Sequence, residues 1–268
     1  MHGFIPPRRF LPYLTWPDVE ALADRERAVI IQPLGAIEQH GAHLPLVTDL
    51  AIASGVIGAA LERLGPEIPA YSLAPLGYGK SDEHLHFPGT ISLSAETLLH
   101  LLMEIGTSVY RAGFRKLAFV NAHGGQPQVV EIAARQLRIA HPDFEIFPLF
   151  VWNVPREANQ QKALECEIHA GDAETSLMLA LLPQSVQMKL ARAELPPGLP
   201  ADGLLSIEGK LPFAWVTRDL SASGVIGDPT EATREKGQTL LESLSAGWVR
   251  VITEIHAFRM PAASGRGA

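Results

Sequence analysis

The feature that most constrains this chain is a repeated alternation of short β-branched runs, each stopped by glycine or a turn, with stretches of helical periodicity. Ala28-Val-Ile-Ile-Gln-Pro33 is the first such run and ends at Gly35; a helical pattern begins after Asp49, whose carboxylate is read as a candidate N-cap. Pro69–Leu76 reads as a strand ending at Gly77-Tyr-Gly79. Ser94, with Glu96 in the first turn, opens a helix that runs to about Ala112-Gly113, and Lys116–Val120 is a strand. Pro127–Ala140 is a helix with proline at its start, followed by a strand over Glu145–Val151. Alternation of this kind predicts an α/β fold, with a mostly parallel sheet covered by helices on both faces. Beyond Trp152 the pattern loosens into a helix over Ala173–Leu182, a Pro/Gly-rich stretch Glu194–Gly203 and a long helix from about Thr230 to Phe258. With no boundary or internal repeat in view, residues 1–260 are expected to form one domain, and residues 261–268 (PAASGRGA) a disordered tail.

Composition excludes several function classes. Hydrophobic residues make up 47% of the chain and charged residues 19%, which rules out disorder for the bulk. Lys and Arg number 22 against 29 Asp and Glu, a net charge of −7 without a basic patch, so neither nucleic-acid phosphates nor anionic lipid are expected partners. The single cysteine, Cys166, can form neither an internal disulfide nor a thiolate zinc site, which excludes dithiol chemistry and fits a reducing cytoplasm. The longest uncharged apolar stretch, Leu50 to Leu61, is twelve residues, short of the roughly 20 needed to cross a bilayer. Arg8-Arg9 precede only a short apolar stretch broken by Pro12, unlike a secretory signal, so the N-terminus is read as mature protein. The expectation is a cytoplasmic protein with no membrane or nucleic-acid partner.

Three clusters carry chemistry. Glu38-Gln-His40-Gly-Ala-His43-Leu-Pro-Leu-Val-Thr-Asp49 brings two carboxylates and two imidazoles into one loop directly after a strand, where ligands of open α/β sheets bind. Residues two apart share a face of an extended segment, so Glu38 and His40 can turn toward one metal pair, with Asp49 far enough along to fold back as a bridge. Val120-Asn-Ala-His123-Gly-Gly125 follows another strand; a lone histidine there is ordinarily a polar loop residue, but its coincidence with the first cluster makes it a ligand candidate, and Gly124-Gly125 allow close backbone approach. In His169-Ala-Gly-Asp172-Ala-Glu174-Thr-Ser176 the acidic and hydroxyl residues suit an ordinary helix start as well as a site, and the sequence does not separate the two. Tyr78-Gly-Lys-Ser81 with Glu83-His-Leu-His86 follows a third strand end and is placed to line a pocket; His2, His100, His141 and His256 read as surface or capping residues. Oxygen and imidazole ligands without thiolate suit zinc, manganese or iron(II). A carboxylate shared by two metals favours a bridging hydroxide near neutral pH, hence hydrolysis of an amide or similar bond.

Read together, Gly35-Ala-Ile-Glu-Gln-His-Gly-Ala-His-Leu-Pro45 with Asp49, Phe87-Pro-Gly-Thr90, Asn121-Ala-His-Gly-Gly125, His169-Ala-Gly-Asp-Ala-Glu-Thr-Ser176 and Gly224-Val-Ile-Gly-Asp-Pro229 resemble the creatininase (creatinine amidohydrolase) family, in order from about residue 28 to 240. The resemblance implies a three-layer α/β sandwich, two divalent metal ions per chain, hydrolysis of carbon–nitrogen bonds in cyclic or linear amides, and commonly a homohexamer. By position, Glu38, His40, Asp49 and His123 match the family's metal ligands, with Asp49 as the bridge, and His169 matches the histidine that shuttles a proton to the leaving nitrogen. Creatinine hydrolases proper have a ligating glutamate two positions after the residue matching His123, where this chain has Gly125; Glu174 is the candidate replacement, as ligand and catalytic residue. They also carry Trp and Glu shortly before the proton-shuttling histidine, where this chain has Glu165, Cys166, Glu167 and Ile168. The implied substrate is therefore an amide-type bond in a small polar molecule other than creatinine, such as a formamide, lactam or ureide, with Ser81, Gly124, Gly125 and Trp152 as substrate-binding candidates. A family peptidase that trims a precursor peptide and a silent binding protein are the alternatives.

Overall fold

The computed structural model describes residues 2–154, 167–196, 198, 203–209 and 211–261. Among these residues, four strands, β1 (Val29–Leu34), β2 (Ala70–Ser72), β3 (Lys116–Asn121) and β4 (Glu145–Phe150), form one sheet in the order β2-β1-β3-β4, with every neighbouring pair parallel. Alternation along the strands sorts their side chains into two layers. Val29, Ile31, Ala118 and Val120 pack with Ile52 and Val56 of α2 (Thr48–Arg63), Leu177 of α5 (Asp172–Leu181) and Leu244 and Trp248 of α7 (Arg234–Ala257). Ile30, Leu34, Leu117 and Phe119 face the other way, against Leu98 and Leu102 of α3 (Ala95–Arg111) and Val130 and Leu137 of α4 (Pro127–Ala140). The result is the three-layer α/β sandwich that the alternation and the resemblance lead one to expect. Among the described residues, no helix is long and apolar enough to cross a membrane.

Several local expectations hold for the expected reasons. Ser94 caps α3 by accepting from the Thr97 N–H, and Pro127 opens α4. The C-terminal helix starts later than expected, at Arg234, where Thr233 accepts from the Lys236 N–H. Trp248 anchors that helix to the end of β4 by donating to the Val151 carbonyl at 2.9 Å; truncating so large a buried side chain typically costs about 3–5 kcal/mol.

Other expectations need correction. The second strand stops at Ser72 rather than Leu76. On the β2 side of β1, Val29 and Gly35 donate to Pro69 and Leu76, but Pro33 has no N–H to offer, so the ladder breaks there. Asp49 does not cap α2: it is the helix's second residue, one step too far in, and Val47 at the cap position makes no side-chain bond. Two short helices are not legible in the sequence: α1 (Trp16–Glu20), opened by a capping box between Thr15 and Asp18, and α6 (Thr217–Leu220). His141 ends α4 with its ring stacked on Tyr110, and His256 lies in the last turn of α7. Glu165, Cys166, residues 262–268 and part of the Glu194–Gly203 stretch lie outside the described residues.

The register fixes where chemistry can gather. Leu34 pairs with Asn121, so the loops that follow β1 and β3 leave the sheet side by side. Gly35 brings the first of them against α2: a Cβ there would fall 2.5 Å from the Leu50 backbone nitrogen. That close approach sets Asp49 beside the loop carrying Glu38 and His40.

Candidate metal centre

At this sheet edge Glu38, His40, Asp49 and His123 converge, all buried. His40 Nδ1 donates to the Glu38 carbonyl at 3.2 Å, and a carbonyl only accepts; the neutral ring therefore turns a lone pair at Nε2 toward Asp49 Oδ1, 3.3 Å away. His123 is held in the same sense. Its Nε2 donates to the Lys80 carbonyl at 2.8 Å, and Nδ1 faces Glu38 Oε2 at 3.1 Å and Asp49 Oδ2 at 3.3 Å. Glu38 Oε1, His40 Nε2 and Asp49 Oδ2 are buried without a hydrogen-bond partner among the described residues. Lone pairs of two imidazoles and two carboxylates aimed at one another repel unless a cation lies among them, and an unpaired buried polar atom costs about 1–3 kcal/mol. The donor set fits divalent metal.

The titration behaviour has the same origin. Burial opposes charge on His40, but the adjacent Asp49 carboxylate outweighs it and raises the imidazole to about 9. Burial likewise works against charge on His123, and Glu38 and Asp49 raise it well above the ordinary value. Asp49 would be raised by burial alone; His40 and His123 instead hold it well below the carboxylate range. Without metal, protons stand where the cations would.

Glu174, in the first turn of α5, joins His40 and Asp49 in a group whose ligand atoms lie within 4.8 Å of one another. Burial, with Asp49 nearby, raises its carboxyl to about 7, and the Ala170 N–H donates to it at 2.7 Å. The other acidic residue of that segment, Asp172, serves the helix, accepting from Ser176 and pairing with Lys236. Glu167 caps the same helix start through the N–H groups of Asp172 and Ala173. His169 is held by Nε2, which donates to the Gln39 carbonyl at 2.7 Å, so Nδ1 turns a lone pair toward Glu38 Oε1, 3.8 Å away. Burial, then the charges of His40 and His84, push it well below the ordinary histidine value.

Not every candidate arrives as expected. His43, part of the first cluster, points away to Thr175 Oγ1 at 2.9 Å. Ser81 is buried beneath the site and donates to Glu38 Oε2 at 2.5 Å. Gly124, Gly125 and Trp152 line the cavity above the centre, about 1080 Å³ in volume, together with Phe213 and Trp215. His84 and Glu83, which the sequence places only along a pocket, both enter the centre: His84 Nε2 lies 3.5 Å from Glu38 Oε1, and Glu83 Oε1 lies 3.2 Å from His123 Nε2. A Cβ on Gly125 would fall 1.7 Å from that Glu83 oxygen, so the glycine leaves the room the carboxylate fills.

The family model described as creatinine amidohydrolase matches residues 12–252. A mycofactocin precursor peptide peptidase of Mycobacterium ulcerans is 35% identical over 242 residues, covering 86% of this chain and 82% of that protein. A creatinine amidohydrolase of Pseudomonas putida is 30% identical over 263 residues, 91% of this chain and 96% of that one. A solved manganese creatininase superposes with a TM-score of 0.73 at 30% identity, covering 92% of this chain and 98% of the other.

Proposed function

Because the chain belongs to the creatininase family and is a hydrolase of carbon–nitrogen bonds, we propose that it works with two divalent ions, of zinc, manganese or iron. Glu38, His40, Asp49, His123 and Glu174 would hold them, with Asp49 shared. The observation that carries this reading is the set of buried lone pairs on Glu38, His40 and Asp49 left without partners. Bound there, the metals would lower the pKa of a water toward neutrality and polarise the amide carbonyl. His169 then supplies the proton step: with Nε2 committed to the Gln39 carbonyl, Nδ1 is free to take a proton from the attacking water and return it to the leaving nitrogen. Removing that group by His169→Asn is expected to lower kcat about 10²–10⁴-fold while the bound metal stays. Loss of metal, with activity restored by excess, would make His169 a ligand instead.

The substrate proposed from the sequence is a formamide, lactam or ureide in a small polar molecule other than creatinine. Gly125 in place of a ligating glutamate supports it, as do Gly124 and Trp152 in the cavity wall. A second reading, trimming of a peptide, is favoured by the cavity: about 1080 Å³ with Phe213 and Trp215 in its walls exceeds what one small ring needs. Creatinine, formamides, lactams, ureides and short peptides assayed with manganese or zinc separate the two readings. Creatinine as the best substrate would overturn both, and a metal-free, inactive protein would leave the silent binding protein. On family resemblance we also propose a cytoplasmic homohexamer, tested by sedimentation against a chain mass of 29.0 kDa.

A further inference from the structure

Gln39 sits between two of the site's histidines, and its own orientation is fixed. Its Oε1 accepts from the Gly41 N–H at 2.9 Å and its Nε2 donates to the Gly224 carbonyl at 3.1 Å, so the amide cannot be reversed. Gly224, at φ +89°, makes room for it: a Cβ there would fall 1.9 Å from Gln39 Oε1. The same Nε2 lies 2.8 Å from His84 Nδ1. An amide nitrogen only donates, so His84 Nδ1 presents a lone pair and its hydrogen resides on Nε2, which faces Glu38 Oε1. The backbone carbonyl of Gln39, 2.7 Å from His169 Nε2 and able only to accept, imposes the reverse on that ring: Nε2 carries the hydrogen, the side-chain amide nitrogen 3.2 Å from it sends its two hydrogens to Gly224 and His84 instead, and Nδ1 faces Glu38 Oε1 as an acceptor. The two rings are neighbours, centroids 4.3 Å apart and planes tilted by 35°. Thr217 Oγ1 lies 2.9 Å from His84 Nδ1 and 3.0 Å from the Glu83 carbonyl; its hydroxyl rotates, and its one hydrogen turned to Nδ1 meets the lone pair there.

We propose that Gln39 is a positioning residue that gives His84 and His169 opposite roles toward the reacting amide, a hydrogen-bond donor and a proton acceptor. The inference rests on the amide-hydrolysis reading above. As water forms the new C–O bond, its proton passes to His169 Nδ1 and the carbonyl π pair moves onto oxygen, where the His84 N–H meets the growing charge. When the C–N bond breaks, its electron pair leaves with nitrogen, which takes the proton back from His169. His84 is thereby assigned to oxyanion stabilisation rather than to metal.

Neutron diffraction from deuterium-exchanged, manganese-loaded crystals tests the assignment without substrate. Deuterium on Nε2 of both rings, with no metal bonded to His84, is expected; deuterium on His84 Nδ1, or metal at its Nε2, would overturn it. Gln39→Glu puts an acceptor where the donor stood, so the His84 deuterium should move to Nδ1 and kcat fall about 10²–10³-fold with KM and metal content held. Should that variant misfold, His84→Gln keeps an N–H near the Nε2 position and His84→Asn does not. The glutamine variant should exceed the asparagine variant by about tenfold or more in kcat, and equal rates would refute the donor role. A wild-type protein inactive on every amide, with the expected deuterium pattern, would refute the reaction reading and uphold the role of Gln39 in placing the hydrogens.

Discussion

His123 turns Nδ1 toward Asp49 Oδ2 at 3.3 Å while its Nε2 is tied to the Lys80 carbonyl at 2.8 Å. The ring cannot turn over without breaking that bond, so Nδ1 always faces an anion. Such an arrangement is costly in a buried place unless a cation completes it. Protein loaded with zinc or manganese should therefore carry two ions per chain by mass spectrometry, and Asp49→Ala should lose at least one of them. One ion or none in the wild type, or unchanged occupancy in the variant, would refute the shared-carboxylate centre.

Metal binding should be pH-dependent in a definite direction. His40 is raised to about 9 and His123 well above its ordinary value in the metal-free protein, so both carry protons that an incoming cation must displace, while Glu174, raised to about 7, adds its own only near and below that pH. Lower pH strengthens the proton's claim. From pH 7 toward 9, apparent affinity should rise about tenfold per pH unit for each proton displaced, as measured by chelator competition. A flat profile would mean that neither His40 nor His123 is a ligand.

The residue types of this centre are legible in the sequence because apolar folding has no use for Glu38, His40, Asp49 and His123 at the ends of two strands. Parallel alternation then places those ends at one edge, and the observed register does so. What the sequence hides is contact between loops far apart in the chain. Glu83 and His84 lie in a short turn more than forty residues beyond Glu38, and no spacing rule tells that this turn folds under the first loop. Gln39 is hidden differently: flanked by two candidate ligands, its value lies in which atoms face which, a matter of geometry rather than composition. Glu174 was ambiguous because a carboxylate in a helix's first turn is favourable in any case; only its approach to His40 and Asp49 separates it from Asp172.

Gly125 can be tested as the space that Glu83 fills. A methyl group there would lie 1.7 Å from Glu83 Oε1 and 2.5 Å from His123 Nε2, so Gly125→Ala must push the carboxylate off the imidazole. Carboxylates behind metal-binding histidines typically contribute about 10–100-fold in metal affinity. The same loss is expected in Gly125→Ala and Glu83→Ala, with no further loss when the two are combined. Additive losses would show that the glycine and the glutamate act separately.

His43 supplies a different pH response, one of stability rather than binding. It is 1% exposed, its Nε2 lies 2.9 Å from Thr175 Oγ1, and its Nδ1 has no partner among the described residues. Burial, reinforced by the charge on His40, lowers it to about 4. The unfolded chain takes up the proton near pH 6.5, so the neutral folded form gains its full advantage above that value. That advantage is lost as pH falls from about 6.5 toward 4, because over this window the unfolded state binds the proton and the folded state does not. Linkage sets the loss at roughly 3 kcal/mol at most. His43→Gln keeps an amide near the Nε2 position but does not titrate. In urea unfolding of the metal-free proteins, the wild type should lose more stability than His43→Gln between pH 7 and pH 4.5. Parallel loss in the two would show that the buried imidazole is not the group responsible.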